Sequence, residues 1–362
     1  MNLSDVVNAM EAIAPTRFAP EWDNVGLLVG DPQQDVRMGM LTIDYTAEVA
    51  AEAKAAGCDL IVTYHPPIFS PIKRLTAPGL IFDAILRGVA IYSPHTAWDV
   101  AGGGTNDFLM DLLGANQRTA LRPGEQKEKQ FKLVTFVPSA HVEAVANALF
   151  EAGAGRIGQY SQCSFRTAGT GTFFGAAETK PAAGSTGKLE KVDEIRLETI
   201  VSNDAVEDVV RALRKTHPYE VAAFDLNVLA SAAEGVGQGR FAVIAPAARQ
   251  ELLDRIKKGL GLAHLLVAGP IDGEATRIAC CAGACGDLLD DAIARKVDVY
   301  LTGEMRHHDA LRAAAGGMTV ACTLHSNSER ASLARLRDRL LEQLPRLTLH
   351  LSQSDRDPFS VR

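Results

Sequence analysis

SPHTAWDVAGGGTND at residues 93–107 and TLHSNSER at residues 323–330 share one pattern: a histidine followed four residues later by a carboxylate, His95 with Asp99 and His325 with Glu329. Each pair follows a short apolar run, 89–92 and 319–322, that reads as a buried strand. Imidazole nitrogen and carboxylate oxygen are donors that zinc, manganese and ferrous iron accept. In open α/β sheets, ligands gather at the carboxyl ends of strands. The two pairs therefore predict one metal site assembled from distant segments.

The surroundings of the two pairs match in order. Upstream of His95 come an apolar run (38–43), an Ala-rich helical stretch (47–56), a second run (60–63) and then Tyr64-His65-Pro66-Pro67. Upstream of His325 come a run (277–282), a helical stretch (287–295), a run (297–302) and then Gly303-Glu304-Met305-Arg306-His307-His308. Strand and helix in alternation predict an α/β fold, here two pseudo-repeated α/β halves forming one metal-binding domain. Chains of this class also repeat the alternation without any duplication, so both origins stay open.

Composition narrows the function classes. A chain of 362 residues has room for two or three domains with substantial cores. Hydrophobic content of 47% and charged content of 22% suit a soluble enzyme. A net charge of −7, with no Lys/Arg-dense stripe, argues against a nucleic-acid or membrane-surface binder. Residues 1–15 read as an amphipathic helix capped by Ser4 and lack the basic and apolar regions of a signal peptide. With no run long enough to span a bilayer, a cytoplasmic protein is expected. Its six cysteines are then expected to be reduced. Cys280 and Cys281 are neighbours on a predicted strand and point to opposite faces, so with Cys285 they read as buried thiols rather than as a metal site.

Three segments follow along the chain. Residues 1–126 form the first α/β half, and the polar stretch 122–130 reads as a linker. The rhythm then changes: a strand (132–137), a helix (140–152), Gly-rich strands around 169–175, a loop (181–187), a strand (194–200) and a helix (205–216). After His217-Pro218-Tyr219-Glu220 comes a strand at 223–228. This β-α-β-β-α-β order predicts an inserted ferredoxin-like α+β domain over 127–230. Gly235, Gly237 and Gly239 lead back into the second α/β half, 231–362.

Further residues carry potential chemistry. Glu304, His307 and His308, on a helix starting after Gly303, form a candidate catalytic acid/base group. The alternative is helix-dipole balance and a supporting hydrogen bond. Gly102-Gly103-Gly104 could cradle an anion at a helix start, or only permit a tight turn. Trp22 and Trp98 could flank a planar base, or belong to the core.

Taken in order, Glu21-Trp22-Asp23-Asn24-Val25-Gly26-Leu27, Tyr64-His65-Pro66, the segments 95–107 and 302–308, and His325 to Glu329 carry a family resemblance. So do residues 153–158, 162–166 and His217-Pro218-Tyr219-Glu220. The chain resembles the NGG-interacting-factor-three-like family, also labelled homologues of type 2 GTP cyclohydrolase I, in its long form with a PII-like inserted domain. The resemblance implies a toroidal homohexamer and a dinuclear site with His65, His95, Asp99, His325 and Glu329 as ligands. Tyr64 stands where the family has another histidine; it would ligate as a phenolate or leave one cation short of a donor. Two divalent cations per subunit are implied, zinc first, with iron or manganese as alternatives. The expected activity is metal-dependent hydrolysis of a small molecule, a nucleotide such as GTP or another phosphorylated compound. The competing expectation is a non-catalytic metal-binding or regulatory ring whose PII-like domain senses a small molecule.

Overall fold

The computed structural model describes residues 1–124, 130–182, 184–229 and 236–360. The chain divides into two compact units, Met1–Glu125 with Ala233–Arg362, and Gln126–Ala232. The segment boundaries expected at 126/127 and 230/231, residues 125–129 of the polar stretch, and Gly235 lie outside the described residues. The fold is mixed α/β, and the described residues form three sheets.

Strands are numbered along the chain. In the larger unit, β1 (Gly26–Val29), β2 (Met38–Thr42), β3 (Leu60–Thr63), β4 (Ala90–Ser93) and β15 (Thr348–Leu351) form a sheet in the order β1-β4-β3-β2-β15. Its second sheet contains β5 (Thr119–Pro123), β10 (Gly237–Ala248), β11 (Leu266–Ala268), β12 (Glu274–Ala284), β13 (Val299–Glu304) and β14 (Thr319–Cys322), in the order β11-β14-β13-β12-β10-β5. Both sheets contain a run of three parallel strands in chain order, β2-β3-β4 and β12-β13-β14, with an antiparallel strand beyond the last; β15 adds a fourth parallel strand beside β2 in the first sheet, whereas β10 lies antiparallel to β12 in the second. Every residue of β3 and β4 is buried, which is why their sequences are continuous apolar runs rather than alternating ones.

The segments before and after the smaller unit are interleaved. Leu109, Met110 and Leu113, on and just past the helix Thr105–Leu112, pack with Leu252, Ile278 and Leu301 of the second sheet's core. In return, Leu333, Leu336 and Leu340 of the helix Ser332–Gln343 pack with Leu3, Val6 and Met10 in the core of the first sheet. Cys280 and Cys281 fall into different core clusters, as alternation along β12 requires.

Two local expectations are corrected. The polar stretch does not begin as a linker at Arg122, because Arg122 lies in β5 and its guanidinium bonds Asp287 and Asp291. Ser4 is not the first helix's cap: the helix Leu3–Ile13 is preceded by Asn2, whose N–H donates to Asp5 Oδ2 at 3.0 Å. Among the described residues no helix is long and apolar enough to cross a membrane.

The smaller unit contains β6 (Gln130–Pro138), β7 (Ser164–Phe174), β8 (Leu189–Ser202) and β9 (Phe224–Leu229), antiparallel in the order β7-β8-β6-β9. Helices Val142–Glu151 and Val206–Thr216 complete a β-α-β-β-α-β succession. Leu133, Val137, Leu197 and Val201 face Val145, Leu149, Val209 and Leu213 in one core. Residues of opposite parity, among them Phe136, Glu194 and Arg196, lie on the other face of this sheet.

A buried cation ties parts of the larger unit together. Arg240, 1% exposed on β10, donates from Nε to Asp107 Oδ1 at 2.6 Å and through its terminal nitrogens to the carbonyls of Gly237, Gly239, Val100 and Ala101. It thereby fixes the loop after Asp99 to the second sheet. Replacing it by Met removes these donors and leaves Asp107 to Arg118, so Arg240→Met is expected to cost about 3–5 kcal/mol. A lower midpoint of urea unfolding at an unchanged slope would register the loss.

Candidate metal centre

The functional side chains gather at the carboxyl ends of parallel strands from both sheets of the larger unit. His65 follows β3, His95 follows β4, Glu304 ends β13, and His325 comes three residues after β14. Glu329 rises from the short helix Asn327–Arg330, and Asp99 from the helix His95–Val100. Two non-glycine residues here have left-handed backbones, His95 at φ 32° and Leu324 at φ 70°. Such conformations persist only where the surroundings impose them, and they cluster at functional sites.

His65, His325 and Glu329 each present a donor atom, all within 4.8 Å of one another. His65 Nε2 lies 3.2 Å from Glu329 Oε2, and His325 Nε2 lies 3.4 Å from Glu329 Oε1. Glu329 is 2% exposed, and neither its Oε2 nor His65 Nε2 has a hydrogen-bond partner. Buried polar atoms are normally satisfied, so two facing orphans mark a place for a third atom. The chemistry of the donors fits a divalent cation such as zinc.

The outer nitrogens of the three imidazoles are held by carboxylates: His65 Nδ1 by Asp44 at 2.9 Å, His95 Nδ1 by Asp23 at 2.7 Å, and His325 Nδ1 by Glu304 at 3.0 Å. A carboxylate on the far nitrogen fixes the ring and leaves Nε2 directed inward, as metal-binding histidines require. His65 stacks edge-on between His95 and His325, at centroid distances of 5.4 and 5.3 Å. His95 and Asp99 thus stand beside the His65–His325–Glu329 group but outside that tight trio.

Tyr64 is fully buried, and its hydroxyl donates to Asp99 and lies 2.7 Å from Thr105 Oγ1. Burial, with Asp99 and Glu329 nearby, pushes the phenol well above its ordinary value, so it stays a neutral donor. Burial and the Glu329 charge push Asp99 up to about 6, against the Tyr64 hydrogen bond. Burial opposes a charged His65, yet the Asp44 and Glu329 carboxylates together raise it to about 10.

The backbone makes room for this arrangement. A bulge between Cys281 and Ala284 puts Gly283 at φ 61°, where an added Cβ would stand 2.8 Å from Glu329 Oε1 and 3.2 Å from His325 Nε2. Gly283 N–H donates to Ser328 Oγ, whose hydroxyl donates to the His325 carbonyl, so the turn that carries His325 and Glu329 is fastened to β12. Behind it, Arg330 pairs with Asp355, which also accepts the Ile43 N–H at 2.9 Å.

Other sequence expectations land elsewhere. Glu304 is the last residue of β13 and the helix begins only at His307, so the expected helix from Gly303 is corrected. The strand continues because β13 still pairs with β12 there, Ala284 opposite Glu304. His307 and His308 are exposed and stack on each other, while Glu304 reaches His325. Gly103 N–H is taken by Asp107 at 2.6 Å, and a Cβ at Gly104 would meet the Trp98 carbonyl at 1.8 Å, so the triple glycine makes a tight turn. Trp98 is buried and donates to Ser332, whereas Trp22 is exposed beside Phe69 and His95, so the two do not flank a common slot. Asp23 and Asp44 join the site without a strong signal of their own: Asp23 lies within the stretch 21–27, and Asp44 stands just past β2, a strand end like those that carry the histidines.

Among known proteins, the family model Duf34/NIF3 (NGG1p interacting factor 3) matches residues 1–358. A Halalkalibacterium halodurans protein called GTP cyclohydrolase 1 type 2 homolog is 34% identical over 330 residues, 90% of this chain and 88% of its own. The human NIF3-like protein 1 is 32% identical over 100% of this chain and 93% of its own. The crystal structure of a Bacillus cereus protein related to NIF3 superposes with a TM-score of 0.72 at 32% identity, covering 100% of this chain and 99% of its own.

The charge on His65 has a measurable consequence. A histidine whose pKa is raised from 6.5 to about 10 contributes stability that is fully present below pH 6.5 and lost as pH rises through about 10. In chelator-treated protein, the His65 ring resonances should titrate near 10 by NMR, and Asp44→Asn should move that midpoint down. A His65 midpoint near 6.5 in the parent protein would contradict the assignment. Separately, Gly283→Ala should lower thermal stability by about 1–3 kcal/mol, since it places a Cβ both in left-handed backbone and against Glu329.

Proposed function

This chain belongs to the Duf34/NIF3 family, and from that premise we propose that it is a divalent-metal-dependent hydrolase of a small molecule. The observation that carries the proposal is the pair of buried atoms His65 Nε2 and Glu329 Oε2, which face each other as an ion pair without a hydrogen bond, with His325 beside them. In this reading His65, His325 and Glu329 hold one cation, and His95 with Asp99 supplies donors for a second. Zinc suits the nitrogen and oxygen donors, and iron or manganese is accepted by the same set. A cation so held supplies Lewis acidity, which polarises a substrate oxygen and makes water a stronger acid.

The protein's own groups do the rest. Asp44, Asp23 and Glu304 hold the three imidazoles in register, so little reorganisation is needed when a ligand enters. Tyr64 serves to hold Asp99 rather than to ligate, because its buried phenol keeps its proton. His307 and His308, exposed and stacked on each other, remain the candidates for proton exchange. The relatives' name, GTP cyclohydrolase 1 type 2 homolog, makes a nucleotide such as GTP the first substrate class, with other small phosphorylated compounds next.

Several finer features belong to the same proposal. The matched order of parallel strands in the two sheets supports a duplicated α/β half. The β-α-β-β-α-β succession of the smaller unit supports a ferredoxin-like, PII-like insert near residues 127–230. Cytoplasmic location and a homohexameric ring are what the family resemblance supports.

Metal analysis is the direct test. Protein dialysed against zinc should retain metal, and His65→Ala or His325→Ala should lose it, while His350→Ala, outside the motifs, should keep full occupancy. Glu304→Gln, which leaves the ligands intact, should weaken metal binding about 10–100-fold. Tyr64→His should tighten the second equivalent. Hydrolysis across a nucleotide and phosphoester panel should follow metal content. Full occupancy in His65→Ala would remove the site from consideration, and metal binding without turnover across the panel would favour the regulatory ring.

A further inference from the structure

A second cavity, of about 680 Å³, lies wholly within the smaller unit and shares no residue with the metal centre. That volume is in the range of small-molecule sites. Its lining includes the aromatic residues Phe136, Phe173 and Tyr219; Phe173 shares the face of β7 that carries Gly169 and Gly171 opposite Glu194. Two carboxylates, Glu194 and Glu220, stand in the same lining with Lys180 and Arg196; Glu220 accepts the Lys180 N–H at 2.9 Å, while Glu194 accepts the Tyr219 hydroxyl at 2.6 Å and, among the described residues, forms no ion pair. The nearby Arg196 does not neutralise it, because its Nε is given to Glu198 at 2.7 Å and its guanidinium lies over Phe136.

The cavity is shaped by specific residues. A Cβ at Gly171 would stand 2.1 Å from Glu194 Oε2, so glycine is what lets the carboxylate lie against β7. Gly169, across the ladder from Glu194, has open space above it, so the strand is left bare at the cavity floor. His217 fixes the opposite wall: one ring nitrogen meets the Phe136 carbonyl at 3.0 Å and the other accepts the Tyr219 N–H at 3.1 Å. The turn His217-Pro218-Tyr219-Glu220, which has no part in the hydrolytic site, thereby delivers Tyr219 to Glu194.

We propose that this cavity binds a planar amino-substituted nitrogen heterocycle, stacked among the aromatic rings with its N–H edge donating to Glu194. Flat rings satisfy the aromatic walls, and donors on the ring edge satisfy an anionic acceptor that has only a phenol as partner. A saturated lipid would leave the Glu194 carboxylate without a donor.

The test uses the full-length protein and 2-aminopurine riboside, whose fluorescence is quenched by stacking. Saturable quenching is expected. It should weaken at least about tenfold in Glu194→Gln, which keeps an acceptor for Tyr219 but removes the charge, and vanish in Gly169→Trp, which fills the floor from unstrained backbone. Purine riboside, lacking the amine, should compete at least about tenfold less well. His65→Ala should bind the probe like the parent, which separates this cavity from the metal centre. No saturable quenching at about millimolar probe, or equal binding by parent and Glu194→Gln, would overturn the proposal. If Gly169→Trp melts early by circular dichroism, Glu194→Gln and the amine-free competitor decide.

Discussion

A carboxylate shut away from water has to be met by positive charge, and Glu329, 2% exposed, is that constraint in this fold. It comes from a short helix after β14 and is met by His65 from the end of β3, a strand of the other sheet. The ends of the two sheets are therefore held at one point. The Gly283 bulge, the left-handed backbone at Leu324 and the Ser328 bridge all serve to bring Glu329 there.

The interleaving of the chain serves the same end. Helix Thr105–Leu112 packs in the core of the second sheet while Tyr64 and Thr105 remain hydrogen-bonded at the first, and Arg240 fastens the connecting loop. In return, the helix Ser332–Gln343 follows Glu329 directly into the core of the first sheet. The two sheets cannot separate without opening one of these cores. A site built on rigid strand ends with carboxylate-supported histidines suits chemistry that depends on fixed donor positions.

Departures from plain pattern occur where function concentrates. Tyr64 occupies a position that the family resemblance assigns to a histidine, and the structure gives its hydroxyl to Asp99 and Thr105 rather than leaving it unpartnered. His95 carries strain at φ 32° and is secured by Asp23, which also accepts from Thr96. These positions are over-determined by their neighbours, which is what allows an unfavourable backbone or a buried polar group to persist.

Strand and helix periods are local properties, so the alternation of elements is legible along the chain alone. The run 60–63 is β3, and 319–322 is β14, residue for residue. The histidine and carboxylate pairs are legible in the same way, since spacing and strand ends are readable along one dimension. Tertiary structure alone decided that His65, His325 and Glu329 converge, that Asp23, Asp44 and Glu304 hold the imidazoles, and that Trp98 is core while Trp22 is exposed. The helix expected at Gly303 failed because pairing of β13 with β12 extended the strand through Glu304, an interaction between residues 20 apart. Periodicity reports what a segment prefers, whereas convergence depends on which sheet edges meet, and that is fixed by packing between residues hundreds of positions apart.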